Sequence, residues 1–206
     1  MSLDSAIPAA RRPACAVCLR ARSACICHWV TTVASRVELL ILQHPLEVAN
    51  AKNSARLLHL CVPCSRLAVG EAFDAEALAA LLGAQGRAPL LLYPATPGAP
   101  SIPVPRGMAP EALRLVVLDA TWRKSRKMLH LNPILQTLPR LALTGMAPSA
   151  YRIRKAHAPD QLSTLEAAAH ALGQIEGNLI HYAPLRAAFD GFVQQQAAYA
   201  PRLHTF

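Results

Sequence analysis

The sequence predicts an α/β fold, with a mainly parallel sheet flanked by helices and a small four-cysteine module in front of it. Three observations predict it. Strand-like and helix-like stretches alternate at least four times along 206 residues, the pattern of βαβ units. Leu115-Val116-Val117-Leu118 is an unbroken apolar run that stops at Asp119, as in a strand buried on both faces of a parallel sheet. Cys15, Cys18, Cys25 and Cys27 lie close together ahead of the first strand. We place the tail and cysteine module at residues 1–34 and the α/β domain at residues 35–206.

Composition narrows the function classes. Hydrophobic residues make up 53% of the chain, enough for a core. No segment has the unbroken apolar length of a membrane span. Residues 1–12 lack the apolar centre of a signal peptide, so a cytoplasmic protein is expected. The formal charge of +9 favours a polyanionic partner, above all nucleic acid; the bland alternative is a solvated basic surface. Six cysteines in such a chain suggest metal or free thiols rather than disulfides.

Taken in order, Cys15-x-x-Cys18 and Cys25-x-Cys27 offer four thiolates for a closed tetrahedral zinc site. The single-residue spacing of the second pair is the less usual one. Arg20 and Arg22 stand on the loop between the pairs, placed for phosphate contact or simply solvated. Residues Arg36–Gln43 read as the first strand, ended by His44-Pro45. A helix is expected over Glu47–Leu60, with Val48, Ala51, Ala55 and Leu58 as its apolar stripe. Lys52, Asn53 and Arg56 would share another face. Cys61-x-x-Cys64 follows that helix rather than opening one, which argues against a redox pair.

A weaker strand is expected over Arg66–Phe73. A helix over Asp74–Leu82 follows, with Asp74 as its cap. Leu90–Tyr93 forms the third strand, stopped by Pro94. Ala95–Pro110 is rich in proline and glycine and reads as loop. After the Asp119 strand comes a basic helix, Trp122 to about Leu131. Its cations Arg123, Lys124, Arg126 and Lys127 form a positive rim. Arg140–Leu143 is the fifth strand, closed by Thr144-Gly145. Tyr151-Arg152-Ile153-Arg154 combines an aromatic with cations, suited to a stacked base and its phosphates, or to a strand. Ser163-x-x-Glu166 is a capping box that opens an Ala-rich helix. The last helix spans roughly Pro184–Ala198, with Leu185, Phe189 and Phe192 in its core stripe. No glycine-rich phosphate loop of the usual types is present.

Ligands of open α/β sheets sit beyond the carboxyl ends of strands. That rule puts Asp119 at a site mouth. As a bare carboxylate it is a weak base, and burial would raise its pKa toward usefulness. The structural alternative is that Asp119 caps the basic helix or holds Thr121 and the backbone.

Several pieces together resemble the DTW-domain proteins, tRNA-uridine aminocarboxypropyltransferases related to the SPOUT RNA methyltransferases. They are Asp119-x-Thr121-Trp122, the four cysteines, His44-Pro45-x-Glu47 with Lys52-Asn53-Ser54-Ala55-Arg56, Leu92-Tyr93-Pro94, Tyr151-Arg152-Ile153-Arg154 and Leu162-Ser163-Thr164-Leu165-Glu166-Ala167. They run in order over about 150 residues. The resemblance implies a knotted C-terminal part around S-adenosylmethionine, a co-substrate of the enzyme. It implies transfer of the 3-amino-3-carboxypropyl group to N3 of a tRNA uridine, with Asp119 as the candidate base. It implies cofactor contacts at Tyr93, Pro94, Leu118, Thr121, Trp122, Leu143, Thr144, Gly145, Ser163, Thr164 and Glu166. The start of the Ser163 helix is expected to hold the methionine carboxylate. The tRNA face is expected at Arg20, Arg22, Lys52, Asn53, Arg56, Arg123, Lys124, Tyr151, Arg152 and Arg154. Methyl transfer to RNA, or RNA binding by a zinc module without catalysis, are the competing readings. The oligomeric state is left open.

Overall fold

A computed structural model of the protein describes residues 13–94, 107–143 and 162–199. The five strands are β1 (Glu38–Gln43), β2 (Ser65–Val69), β3 (Ala88–Leu92), β4 (Leu113–Asp119) and β5 (Arg140–Leu141). They form one sheet in the order β2-β1-β4-β3-β5, and every pairing is parallel. The helices are α1 (Pro45–Val48), α2 (Ala55–Cys61), α3 (Ala75–Gly83), α4 (Trp122–Leu131), α5 (Pro133–Gln136), α6 (Thr164–Glu176) and α7 (Ala183–Ala198).

The central strands β1 and β4 are buried along their whole length. Successive side chains of a strand point to opposite faces, so each strand feeds two cores. Leu39, Ile41, Leu115 and Val117 face α2, α6, α7 and the cysteine module. Leu40, Leu42, Val116 and Leu118 face α3, α4 and α5. The chain leaves β1 toward α2 on the first layer and leaves β4 toward α4 on the second. The carboxyl ends of β1 and β4 therefore border the crevice where ligands of such sheets bind.

Several elements differ from expectation. The helix over 47–60 is broken into α1 and α2. Asn50 Oδ1 accepts from the Lys52 amide at 3.0 Å, and Asn53 Oδ1 accepts from the Ala55 amide at 3.0 Å. Asparagine side chains that bond nearby backbone compete with helix formation. The predicted stripe fails with it: Val48 and Ala51 are exposed, whereas Ala55 and Leu58 are buried. Strands are also shorter than expected, since β2 stops at Val69 and β5 at Leu141. At the other end of β1, the amides of Arg36 and Val37 donate to Glu176 Oε1 instead of to a neighbouring strand.

Other expectations match. Asp74 caps α3 by accepting from the Ala77 amide. The capping box of Ser163 and Glu166 is complete, and Gly177 ends α6 with a left-handed φ of 66°. Cys61 is buried and Cys64 donates to the Ser35 carbonyl. Burial pushes both thiols up, the opposite of what redox activity needs.

Candidate functional site

Asp119 ends β4 directly opposite Gln43, the last residue of β1. It is 3% exposed, so it lies beneath the crevice rather than at its mouth. Its Oδ2 accepts from Gln43 Nε2 at 2.9 Å and from Asn53 Nδ2 at 2.6 Å. Its Oδ1 accepts from Thr164 Oγ1 at 2.7 Å. One carboxylate thus joins β1, the turn before α2, and the start of α6. Burial raises its pKa, against the pull of the Gln43, Thr164 and Asn53 donors. The expected capping role is not seen: Thr121 occupies the N-cap of α4, and no side chain caps that helix.

Gln43 went unnoticed in the sequence. Its only signal is that it ends an apolar strand just before His44-Pro45. Asn53 is 7% exposed, and its side chain turns inward to Asp119, not outward with Lys52. Asn53 Oδ1 also takes Gln43 Nε2 at 3.3 Å.

The expected cofactor residues divide between the two layers. Tyr93 and Leu118 pack on the α4 side. There Tyr93 meets Trp122 edge-on, with centroids 5.7 Å apart. Arg140, which the sequence did not single out, lies over the Tyr93 ring, 5.5 Å from its centroid. Trp122 is 46% exposed and Pro94 is exposed. Leu143 packs toward the α6 side. Thr144 and Gly145, and likewise Tyr151, Arg152 and Arg154, lie outside the described residues.

The start of α6 is satisfied from within. The Leu165 amide donates to Ser54 Oγ, the Glu166 amide to Ser163 Oγ, and the Ser163 amide to Glu166 Oε2. A ligand carboxylate at this turn would compete with these partners for the Leu165 and Glu166 amides. Thr164 serves Asp119.

The positive rim is partly neutralised. Lys124 pairs with the buried Glu47 at 2.9 Å, and Lys127 with Glu71 at 2.8 Å. His44 Nδ1 accepts from the Leu46 amide at 3.1 Å. Its Nε2 therefore carries the proton that reaches Glu71 Oε1 at 2.9 Å. Lys127 first, and then His44, hold the Glu71 carboxyl below its usual range. Arg123, Lys124 and Lys127 line an open cleft of about 660 Å³ together with His44, Pro45, Leu46 and Glu71.

Ligand atoms of Cys15, Cys18, Cys25 and Cys27 lie within 4.8 Å of one another. The separations Cys15–Cys27 and Cys18–Cys25 are 3.7 and 3.8 Å. A tetrahedron with Zn–S bonds of about 2.3 Å has sulfur–sulfur edges of about 3.8 Å, so the donor set fits a four-thiolate metal site. Backbone amides of Cys18 and Val17 lower the Cys15 thiol to about 6. Burial, followed by the neighbouring thiols, pushes Cys27 up to about 12. A metal there would displace thiol protons.

The expected RNA residues near this cluster have different fates. Arg22 and Lys52 are exposed. Arg20 donates to the carbonyls of Ala51 and Asn53, and Arg56 to the carbonyl of Val17. These two arginines tie the cysteine module to the turn before α2.

The family model described as "DTW domain" matches residues 12–197. The chain is 30% identical over 180 residues to "tRNA-uridine aminocarboxypropyltransferase 2" of Mus musculus, covering 82% of this chain and 59% of that protein. It is 32% identical to the Drosophila melanogaster protein of the same name, covering 84% of this chain and 70% of that one. "tRNA-uridine aminocarboxypropyltransferase A" of Arabidopsis thaliana is 26% identical, covering 81% and 74%. The chain spans 59% of the length of the Macaca fascicularis and mouse relatives. No solved structure matches.

Proposed function

The chain belongs to the DTW domain family, and from that premise we propose that it transfers the 3-amino-3-carboxypropyl group of S-adenosylmethionine to N3 of a uridine in tRNA. The observation that carries the reading is Asp119: a carboxylate at the β1/β4 crevice, buried, and met by neutral donors alone among the described residues. A buried carboxylate without a cation beside it holds a proton more readily than an exposed one.

The sulfonium of the co-substrate supplies an electrophilic carbon. The uridine supplies N3, which must lose its proton as the new N–C bond forms and the C–S bond breaks to release methylthioadenosine. Asp119 takes that proton. Its Oδ2 already accepts two hydrogen bonds, while Oδ1 accepts one and retains a lone pair. At 3% exposure, N3 reaches Oδ1 only if the surrounding loops open. Thr164, Gln43 and Asn53 orient the carboxylate. Tyr93 and Trp122 give an aromatic wall that fits an adenine, with Arg140 over the Tyr93 ring.

Arg22, Lys52 and Arg123 belong to the tRNA face in this reading, with Tyr151, Arg152 and Arg154. Binding should then weaken steeply with salt as counterions are released. The four-cysteine site holds structural zinc, since four thiolates leave no open position for a catalytic water. The SPOUT relationship and its knot are part of the same proposal, supported by the parallel sheet and its crossover order. So is a cytoplasmic location, which suits six cysteines that form no disulfide. No described helix is long and apolar enough to cross a membrane.

A second reading has its own support. The burial of Asp119 and its bonds to three segments suit a group that positions the site without reacting. Transfer itself is tested by nucleoside mass spectrometry of tRNA incubated with the protein and S-adenosylmethionine. A gain of about 101 Da identifies aminocarboxypropyl transfer, about 14 Da identifies methyl transfer, and no gain leaves only binding.

A further inference from the structure

We propose that Arg20 is a positioning residue: it carries the order of the four-cysteine knuckle to Asn53, and through Asn53 to Asp119. The proposal rests on the reading of Asp119 given above. Arg20 follows Cys18 by two residues, and its backbone is fixed by the knuckle. The Arg20 carbonyl accepts from the Cys15 amide at 2.7 Å, and the Leu19 amide donates to the Cys15 carbonyl at 2.9 Å. Leu19 adopts a left-handed φ of 62° to make this reversal, a conformation that costs a leucine energy and needs support from its surroundings.

From that anchor the guanidinium lies over the Phe192 ring of α7, 5.0 Å from its centroid. It then donates to the Ala51 carbonyl, and to the Asn53 carbonyl at 2.6 Å. A planar, forked donor suits two carbonyls in one turn. Arg56 ties the same two segments in the opposite direction, donating to the Val17 carbonyl at 2.6 Å.

Besides these ties the segment is held by its own local bonds, the Asn53 amide donating to the Asn50 carbonyl at 2.9 Å and the Lys52 amide to Asn50 Oδ1 at 3.0 Å, and by Ser54 Oγ, which accepts from the Leu165 amide. Residues 49–54 lie between α1 and α2 and belong to neither helix nor strand. Yet Asn53 must place Nδ2 at 2.6 Å from Asp119 Oδ2 while Oδ1 takes the amides of Ala55 and Arg56. Arg20 grips the backbone of the residue whose side chain grips Asp119. The metal-fitting cluster therefore has a short path to the crevice without contributing a ligand to it.

The test is a double-mutant cycle with Arg20→Ala and Asn53→Ala, read by single-turnover transfer at saturating tRNA and S-adenosylmethionine. Zinc content and hydrogen exchange are measured on every variant. Arg20→Ala should keep stoichiometric zinc and cofactor affinity and lose about tenfold in rate, the scale of one hydrogen bond to a charged group. Its amides at 50–54 should exchange faster while those of β1 and β4 do not. In the Asn53→Ala background, Arg20→Ala should cost little more, because the path is already cut. Arg20→Lys, which keeps the charge and the ring contact but loses the fork, should fall between, and serves if the alanine variant does not fold.

Fully additive losses, a wild-type rate, or unchanged exchange at 50–54 would overturn the proposal. Asp119→Asn is run beside them. If it transfers at the wild-type rate, the Asp119 reading fails by itself, and the exchange data still decide whether Arg20 orders the turn.

Discussion

The central strands carry a buried carboxylate at each end, and the two are treated oppositely. At the amino end, Glu38 of β1 faces Arg114 of β4 in the pairing register. Glu38 accepts from Arg114 at 2.9 and 3.2 Å and pairs with Arg66 at 3.0 Å and Arg87 at 3.2 Å. Arg114 is fully buried, and its remaining donors meet the carbonyls of Leu81, Leu82 and Ala84. At the carboxyl end, Asp119 has amides and a hydroxyl but no cation among the described residues. Charge compensation makes the first end a fixed joint. Its absence leaves the second able to exchange a proton. In the proposed reading of Asp119, the presence or absence of a cation separates a stabilising carboxylate from a reactive one more sharply than burial does, since both are nearly inaccessible.

Four measurements break or sharpen this contrast. Glu38→Gln strands the buried Arg114 charge and should cost about 3–5 kcal/mol of stability, the scale for removing one partner of a buried pair. Denaturant titration reads it, and a loss under 1 kcal/mol would mean the amino end is no fixed joint. Asp119→Asn should leave stability nearly intact. An Asn carbonyl at the Oδ2 position can take Gln43 and Asn53, and its amide can donate to the Thr164 hydroxyl. Single-turnover transfer should nonetheless fall by roughly 10²-fold or more if Asp119 is the base; a wild-type rate would leave it a positioning group.

The pH dependence should differ in sign between the two ends. The Asp119 pKa is raised, so the folded state binds a proton at pH values where the unfolded chain has released it. Stability of the wild type relative to Asp119→Asn should therefore decline as pH rises from about 4, the unfolded value, through the folded one. Glu176, beside the start of β1, behaves in reverse. Burial opposes its ionisation, but the Tyr182 hydroxyl, the amides of Val37 and Arg36, and the Ser35 hydroxyl outweigh it and lower its pKa. Its contribution should be present above the unfolded pKa and vanish as pH falls through the folded one. Comparing Glu176→Gln and Asp119→Asn with wild type across the acid range checks both slopes. The smallest effect is expected from Ser163→Ala, about 1 kcal/mol for a lost cap. It should also loosen the neighbouring Thr164 hydroxyl and lower transfer modestly, whereas a cap remote from Asp119, such as Asp74→Ala on α3, should change stability alone.

Much of the molecule was legible in its sequence for local reasons. The four apolar residues before Asp119 state burial on both faces. The cysteine spacing states a four-thiolate cluster, because ligands a few residues apart on turns meet whatever the rest of the chain does. Ser163 and Glu166 state a helix start, since both bonds of the box lie within one turn. The place of Asp119 at the end of β4 was legible from the apolar run that stops there.

What tertiary structure alone decided is how these pieces meet. The 47–60 stretch has a passable helical stripe; the Asn50 and Asn53 bonds to nearby amides break it locally, and tertiary structure decides that the resulting turn sends Asn53 Nδ2 to Asp119, 66 positions away. Gln43 and Thr164 stand 76 and 45 positions from the carboxylate they serve. Periodicity cannot register such pairs, because it reports which face a residue is on and not which residue lies opposite. The fates of the cations follow the same logic: Lys124 is paired, Arg20 is a tie, and Arg123 lines the open cleft. Side chains of one formal charge take these different roles according to the carbonyl or carboxylate that packing brings within reach.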